Sequence, residues 1–367
     1  MHTTFGQIAL LGSGETSLTG GRIFETIASR LPRPLRVAVL ETPAGFELNS
    51  AQVAGRVADF LMTRLQNYQA RVDVVPARKR GSAFSPDDAS ILSPLLRADL
   101  IFMGPGSPTY AVRHLKGTLA WDLVRARHRL GAALVFASAA AIAIGARLLP
   151  VYEIYKVGED VSCPAGLDLF TDFGPALSCI PHWNNTDGGA DVDTSRCFVG
   201  MERFAQWCSL LPPGHTTLGL DEHTGIVIDF ATGICTVSGV SSVTLLRECN
   251  PENHPAGSVF SVNELGEVDC PERPEDGIPI AAWKMVREAA QDNDNTLSTQ
   301  TEGQHISSPK GKGRVEAPKE VLCLAEERQA ARLRMDWAAS DSIREKIEAR
   351  GWSVQDTPEG QKVVRQS

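Results

Sequence analysis

Five short apolar runs punctuate the first 150 residues: GQIALLGSG (6–14), RVAVLETPAG (36–45), RVDVVPA (71–77), ADLIFMGPGS (98–107) and ALVFASA (133–139). Helix-length segments at 17–31, 48–68, 85–97 and 108–129 separate them. Runs that are apolar throughout, joined by helices, predict a mainly parallel sheet covered on both faces, a three-layer α/β fold. In the third of these segments Ser85 suits an N-cap, Pro86 the first helical position, and Asp87 and Asp88 the positive end of a helix dipole. Ligands bind beyond the carboxyl ends of such strands. Three tight turns fall there: Gly12–Gly14, Gly104–Gly106 and the turn at Ser138.

The pattern then changes. LSCIPHWNN (177–185) reads as a strand with a polar end, and a helix is expected at about 193–210. TTLGLDEHTGIVIDFATGICTVSG (216–239) predicts two strands with a turn at Ala231–Gly233, and SVTLLREC and SVFSVNEL a further β-rich edge. A helix near 279–291 closes a first domain, 1–290. Residues 291–318 are polar and almost free of large apolar side chains. They bury too little to offset chain entropy, so a disordered linker is expected. Beyond it, Val321, Leu324, Ala331, Met335 and Ala338 follow helical spacing. Ser340 or Ser342 suits the cap of a second helix carrying Ile343 and Ile347, with Gly351 as its stop. The segment 319–367 therefore reads as a helical hairpin.

Composition narrows the class. The 367 residues are 43% hydrophobic and 22% charged, with net charge −8, which argues against a nucleic-acid-coating protein. No apolar run approaches the roughly 20 residues of a membrane span. The N-terminus reads as a strand and not as a signal peptide. Eight cysteines lie between Cys163 and Cys323 with no C-x-x-C pair. This argues against a zinc ribbon and for free thiols in a reducing cytoplasm.

Ser138, in VFASAAA, is either a nucleophile on a strand-to-helix turn or a small residue in a packed core. A nucleophile needs a base and a group that orients the base. Of eight histidines, His2 and His305 lie in unpatterned segments. His114 and His128 are expected on a helix surface, and His215 and His254 in proline-flanked turns. His182, ending a strand, and His223 remain. Asp221 and Glu222 in GLDEHTG either orient an imidazole or form a solvated turn. Backbone donors for an oxyanion are available at Ala139 and, in GPGSP, at Gly106. Pro105 has no N–H. GSGET (12–16) lacks the Lys-Ser/Thr of a phosphate loop.

Together, ALLGSGE, IFMGPGSPTYAV, VFASAAA, the strand-final His182 and GLDEHTGIVID resemble, over residues about 5–245, the serine peptidases that include dipeptidase E and cyanophycinase, which share the class I glutamine-amidotransferase-like fold. That resemblance implies Ser138 as nucleophile, His182 as base and Glu222 as orienting acid, with the Gly106 and Ala139 amides as oxyanion hole. It implies a small amide or peptide substrate and no metal or cofactor. The elbow differs from the family's G-x-S-A-G. It reads F-A-S-A-A, so Phe136 is expected to narrow the cleft or alter the turn. Amidotransfer is disfavoured, since that chemistry uses a cysteine at this turn. Ser107 and Trp183 are candidate substrate-binding residues. Asn184, Asn185, Asp193 and Arg196 either bind a polar ligand or cap the next helix. A second reading keeps the cleft without catalysis, as a ligand-binding module.

The tail, 324–363, resembles the C-terminal end of bacterial cysteinyl-tRNA synthetases in ERQAAR, WAASD, IREKI and GWSVQDTPEG. The HIGH and KMSKS signatures of a synthetase are absent from the chain. Residues 319–367 hold nine Lys/Arg against nine Asp/Glu, too balanced for phosphate binding by charge alone. RNA contact through Arg328, Arg332 and Arg334, docking of a partner protein, and dimerisation all stay open, and the oligomeric state is not specified.

Overall fold

In the computed structural model each of the five apolar runs forms a strand: β1 (Ile8–Leu11), β2 (Arg36–Leu40), β3 (Arg71–Val75), β4 (Leu100–Met103) and β5 (Ala133–Ala137). The structure describes residues 5–247 and 250–301. In the tail it describes 318, 321, 324, 327, 328, 343, 346, 347, 350, 352–357 and 360–365. The chain divides into two units, Met1–Thr299 and Gln300–Ser367.

The first unit is built on an eight-stranded sheet of order β12-β9-β8-β1-β5-β4-β2-β3. Its β1-β5-β4-β2-β3 portion is parallel, and β8 (Thr224–Asp229), β9 (Ile234–Gly239) and β12 (Val259–Ser261) extend it antiparallel. Every residue of β1, β4 and β5 is buried, as continuous apolar strands require. The alternation of side chains sorts them onto two faces. Ala9, Leu11, Val37, Val39 and Phe102 pack under α1 (Leu18–Ala28) and α2 (Ser50–Arg64). Ile8, Leu10, Leu40, Met103 and Phe136 pack beneath α3 (Pro108–Leu115), α4 (Leu119–Arg129) and α7 (Ile280–Thr301). Each fully buried Leu, Ile or Phe contributes about 1.5–3 kcal/mol relative to exposure.

Several elements depart from expectation. Residues 85–97 form turns and a short 3-10 helix, Ser93–Arg97, in place of an α-helix. The short polar side chains bond their own backbone there, Ser85 Oγ accepting from Asp87 N and Asp88 Oδ1 from Ser90 N, and Pro94 adds a second break. Segment 108–129 splits at Gly117, whose φ is +65°, and Thr118 caps α4 anew. His114 and His128 are buried, not on the surface, and His128 Nε2 lies 2.7 Å from the Gly6 carbonyl oxygen. Burial lowers the His128 pKa to about 4.

In the second half β6 (Leu177–Ile180) stops before His182, and α6 (Gly200–Ser209) starts later than expected. Residues 216–239 contain three strands and not two. β7 (Thr216–Leu220) belongs to a separate four-stranded sheet of order β11-β10-β7-β6, and the chain crosses to the large sheet through Asp221–His223. β10 (Ser242–Arg247) pairs with β11 (Asn250–Pro255), an edge strand whose sequence NPENHP carries no apolar alternation. His254 therefore lies on a strand, and is buried, as is His215.

Helix α7 continues to Thr301, so the first part of the expected linker is helical. Residues 302–317 lie outside the described residues. In the second unit Val321, Ile347 and Trp352 are buried together, with Leu324 and Ile343 against them. The tail is not a purely helical hairpin: β13 (Trp352–Thr357) and β14 (Gly360–Arg365) pair antiparallel, Thr357 opposite Gly360. The alternation of Trp352 and Val354 with Ser353 and Gln355 suits a strand. Ala331, Arg332, Arg334, Met335, Ala338, Ser340, Ser342 and Gly351 fall outside the described residues. Among the described residues, no helix is long and apolar enough to cross a membrane.

Candidate active site

At the carboxyl end of β5 the chain reverses into the short helix α5 (Ala139–Ala143) through Ser138, which sits at φ +51°, ψ −121°. A non-glycine residue in this region is strained, and the turn holds it by Ser138 N donating to the Leu11 carbonyl at 3.3 Å. Ala139, Ala140 and Ala141 are all buried, so the small side chains let α5 start against the sheet. Phe136 neither narrows the cleft nor opens the turn. It is wholly buried in the large core, paired to Leu10 and Met103 across the strands. The half-buried Ser138 side chain alone faces outward.

His182 follows the end of β6 and also has a positive φ, +49°. Its amide donates to the Gly12 carbonyl at 3.2 Å, and its own carbonyl accepts from Cys197 N at 3.1 Å. Gly12 must be glycine, since a Cβ there would lie 2.1 Å from the Asp221 carbonyl oxygen. His182 Nε2 lies 3.0 Å from Ser138 Oγ, and Nδ1 lies 2.9 Å from Glu222 Oε1. A carboxylate only accepts, so the proton of a neutral imidazole belongs on Nδ1, leaving Nε2 to accept from the Ser138 hydroxyl.

Glu222 occupies the crossing between the two sheets. Asn185, buried, donates from Nδ2 to Glu222 Oε1 at 3.0 Å, and Asn184 Oδ1 accepts from Glu222 N at 2.8 Å. Burial pushes the Glu222 carboxyl up, but the hydrogen bonds from Asn185 and His182, with the electrostatic attraction of His182 and His223, together hold the group below its ordinary pKa. Asp221 turns the other way, its Oδ2 accepting from Ser241 Oγ, Ser242 N and Ser242 Oγ, which ties the crossing to β10. His223 donates from its amide to Ser13 Oγ, and its ring stands against Gly14. The GSGET turn is thus occupied by packing.

The remaining candidates are placed as follows. Gly106 has φ +147°, and a Cβ there would lie 1.9 Å from the Pro43 carbonyl oxygen. Ser107 caps α3, Oγ accepting from Tyr110 N at 3.2 Å. Trp183 is buried, with the Arg196 guanidinium 3.9 Å over its ring and Arg196 donating to the Trp183 carbonyl at 2.8 Å. Asp193 takes the capping role: its carboxylate accepts from Ser195 N and Met201 N at the approach to α6. These groups bond within the fold and hold the loop that carries His182 and meets Glu222.

One wall residue escaped the sequence reading. Arg196, Cys197 and Phe198 all have positive φ, and this run brings the Phe198 ring to 5.5 Å from the His182 ring, stacked on Tyr155. No local signal in SRCFVG marks such a conformation. Burial, with Glu222 nearby, pushes the Cys197 thiol up to about 12, so it is no nucleophile at neutral pH. A separate open groove of the first unit lies between Arg36, Arg71, Asp73, Arg97 and Glu288, where β2 and β3 begin.

Comparison with solved structures identifies a similar fold. A peptidase from an acI-B1 Actinobacterium superposes with TM-score 0.57 at 19% identity, covering 71% of this chain and 98% of that one. The two proteins share a fold. No protein-family model matches the chain. In the C-terminal region, cysteine–tRNA ligase 1 of Burkholderia lata is 51% identical over 49 residues, 13% of this chain and 10% of the ligase. The cysteine–tRNA ligase of Methanosarcina mazei is 55% identical over 53 residues, 14% of this chain and 11% of the ligase. The chain thus spans about a tenth of the length of the ligases it matches.

Proposed function

We infer that the protein is a serine-type hydrolase acting on a small amide or peptide, with Ser138, His182 and Glu222 as its catalytic relay. The observation that carries this reading is the continuous hydrogen-bond path from Ser138 Oγ through the imidazole to Glu222 Oε1, 3.0 and 2.9 Å long in its two links. Ser138 Oγ attacks the carbonyl carbon while its proton passes to His182 Nε2. The Gly106 and Ala139 amides receive the oxyanion. The imidazolium then protonates the leaving amine, giving an acyl-enzyme. Water, deprotonated by the same imidazole, releases the acid and regenerates Ser138. Glu222, held ionised, stabilises the imidazolium and keeps the ring oriented. Base catalysis of this type contributes about 10²–10⁴-fold, and each oxyanion donor about 10²–10³-fold. The likeness to a solved peptidase agrees with this reading at the level of the fold.

The test is labelling with a small fluorophosphonate, read by intact mass and peptide mapping. A single adduct on Ser138, absent in Ser138→Ala and lost in His182→Ala, is expected. A folded wild-type chain that takes up no adduct would replace the hydrolase with a ligand-binding module.

A further inference from the structure

A second cluster of chemistry stands outside the relay, where the edges of the two sheets meet. Glu252 and His254 lie on β11, the edge of the four-stranded sheet. Glu264 lies in the 3-10 turn Val262–Leu265 that follows β12, the edge of the eight-stranded sheet. One donor atom from each of the three residues falls within 4.8 Å of the other two. His254 Nε2 is 3.7 Å from Glu252 Oε1 and 3.9 Å from Glu264 Oε2.

Carboxylates gathered at a surface are ordinary, and the imidazole is what sets this group apart. His254 is 9% exposed, its ring stacked on Phe260 at 4.1 Å, and its buried Nε2 has no hydrogen-bond partner among the described residues. A buried ring nitrogen without a partner leaves its desolvation uncompensated. The nitrogen points at two carboxylate oxygens too distant to bond directly. Each glutamate also uses its other oxygen in the fold: Glu252 Oε2 accepts from Arg247 at 3.0 Å, and Glu264 Oε1 accepts from Ser261 N at 3.2 Å in a capping box. Carboxylates oriented this way present one oxygen each, as outer-sphere bonds do around metal ligands.

We propose that Glu252 Oε1, His254 Nε2 and Glu264 Oε2 form a binding site for a divalent first-row transition ion of the zinc type, joining the edges of the two sheets. One imidazole with two carboxylates suits zinc better than calcium or magnesium, which take oxygen ligands. Metal–ligand bonds of about 2.0–2.2 Å place donors roughly 3.3–3.6 Å apart in a tetrahedral arrangement and roughly 3.5–3.8 Å apart in a trigonal one. The 3.7 and 3.9 Å separations are close to that. The Glu252 side chain is exposed, as is the Arg247 that holds it, so the two can shift together to close the remaining distance, and water completes the shell. The ion would staple β11 to the turn after β12, so its effect falls on stability and leaves the Ser138 relay untouched.

The experiment titrates the full chain, freed of metal with chelator, with zinc chloride by calorimetry and with cobalt chloride by visible absorption. The expected result is one equivalent bound, with a nitrogen–oxygen cobalt spectrum free of thiolate charge-transfer bands and a raised unfolding temperature. Glu252→Gln and Glu264→Gln keep the Arg247 and Ser261 contacts through the amide oxygen. The double variant should fold normally and bind zinc about 100-fold or more weaker, a larger loss than outer-sphere changes produce. Ser138→Ala should bind as wild type. Absence of saturable binding, affinity unchanged in the double variant, or a thiolate-bearing cobalt spectrum would each overturn the proposal.

Discussion

The strained backbone at Ser138 makes a sharp prediction about stability. Its φ of +51° and ψ of −121° cost a non-glycine residue about 1–3 kcal/mol, which glycine does not incur. Ser138→Ala and Ser138→Gly both delete the hydroxyl, so both lose the 3.0 Å bond to His182. The difference between them isolates the backbone. At an unstrained position alanine is the more stable by about 0.4–1 kcal/mol, because glycine has more conformations to lose on folding. Here relief of strain outweighs that term, and the glycine variant should be the more stable by about 0.5–2 kcal/mol. The assay is the urea-unfolding midpoint of each full-length variant under the same buffer, with slopes compared to exclude a change in the unfolded state. Neither variant should accept a fluorophosphonate. An alanine variant as stable as the glycine variant, or more so, would show that Ser138 sits on an ordinary turn and that its outward aim has another cause.

Gly106→Ala should slow fluorophosphonate labelling of Ser138 by about 10²-fold or more while the adduct remains on the same residue, since a Cβ 1.9 Å from the Pro43 oxygen must displace the loop that carries the proposed oxyanion donor; a labelling rate within twofold of wild type would remove Gly106 from that role. Stability should fall as pH drops from about 6.5 to about 4, because over that window the unfolded His128 takes a proton that the buried ring, with its pKa near 4, refuses. The loss from this residue is about 3 kcal/mol, and it should be absent in His128→Gln, whose amide can still donate to the Gly6 carbonyl. Equal pH dependence in the two proteins would remove His128 as the cause.

Legibility differed from element to element, for physical reasons. The strands β1, β2, β4 and β5 stood out because both faces of a parallel sheet are buried, so the apolar signal is continuous and local, whereas the edge strand β3 shows a half-exposed alternation, RVDVV. The 85–97 segment misled because cap and dipole signals are also turn signals when Ser and Asp bond their own backbone. β11 was missed because NPENHP owes its strand to the neighbour β10 and not to its own side chains. His114 and His128 were misplaced because helical spacing gives a face but not the depth of the layer above it. At the tail, helical periodicity up to Ile347 masked the β-hairpin at 352–365, whose pairing joins residues on either side of a short turn.

By itself, the chain determined a covered parallel sheet and a serine at the end of its fifth strand, since short apolar runs and the helix-length segments between them carry that pattern. The resemblance named His182 and Glu222, but tertiary structure alone brings the imidazole within hydrogen-bond reach of both Ser138 and Glu222. They lie 44 and then 40 positions apart along the chain. Only the crossing between two sheets turns Glu222 toward the imidazole and Asp221 toward β10. Adjacent residues with one chemistry differ there in direction, and direction is a property of the surrounding backbone, not of residue type.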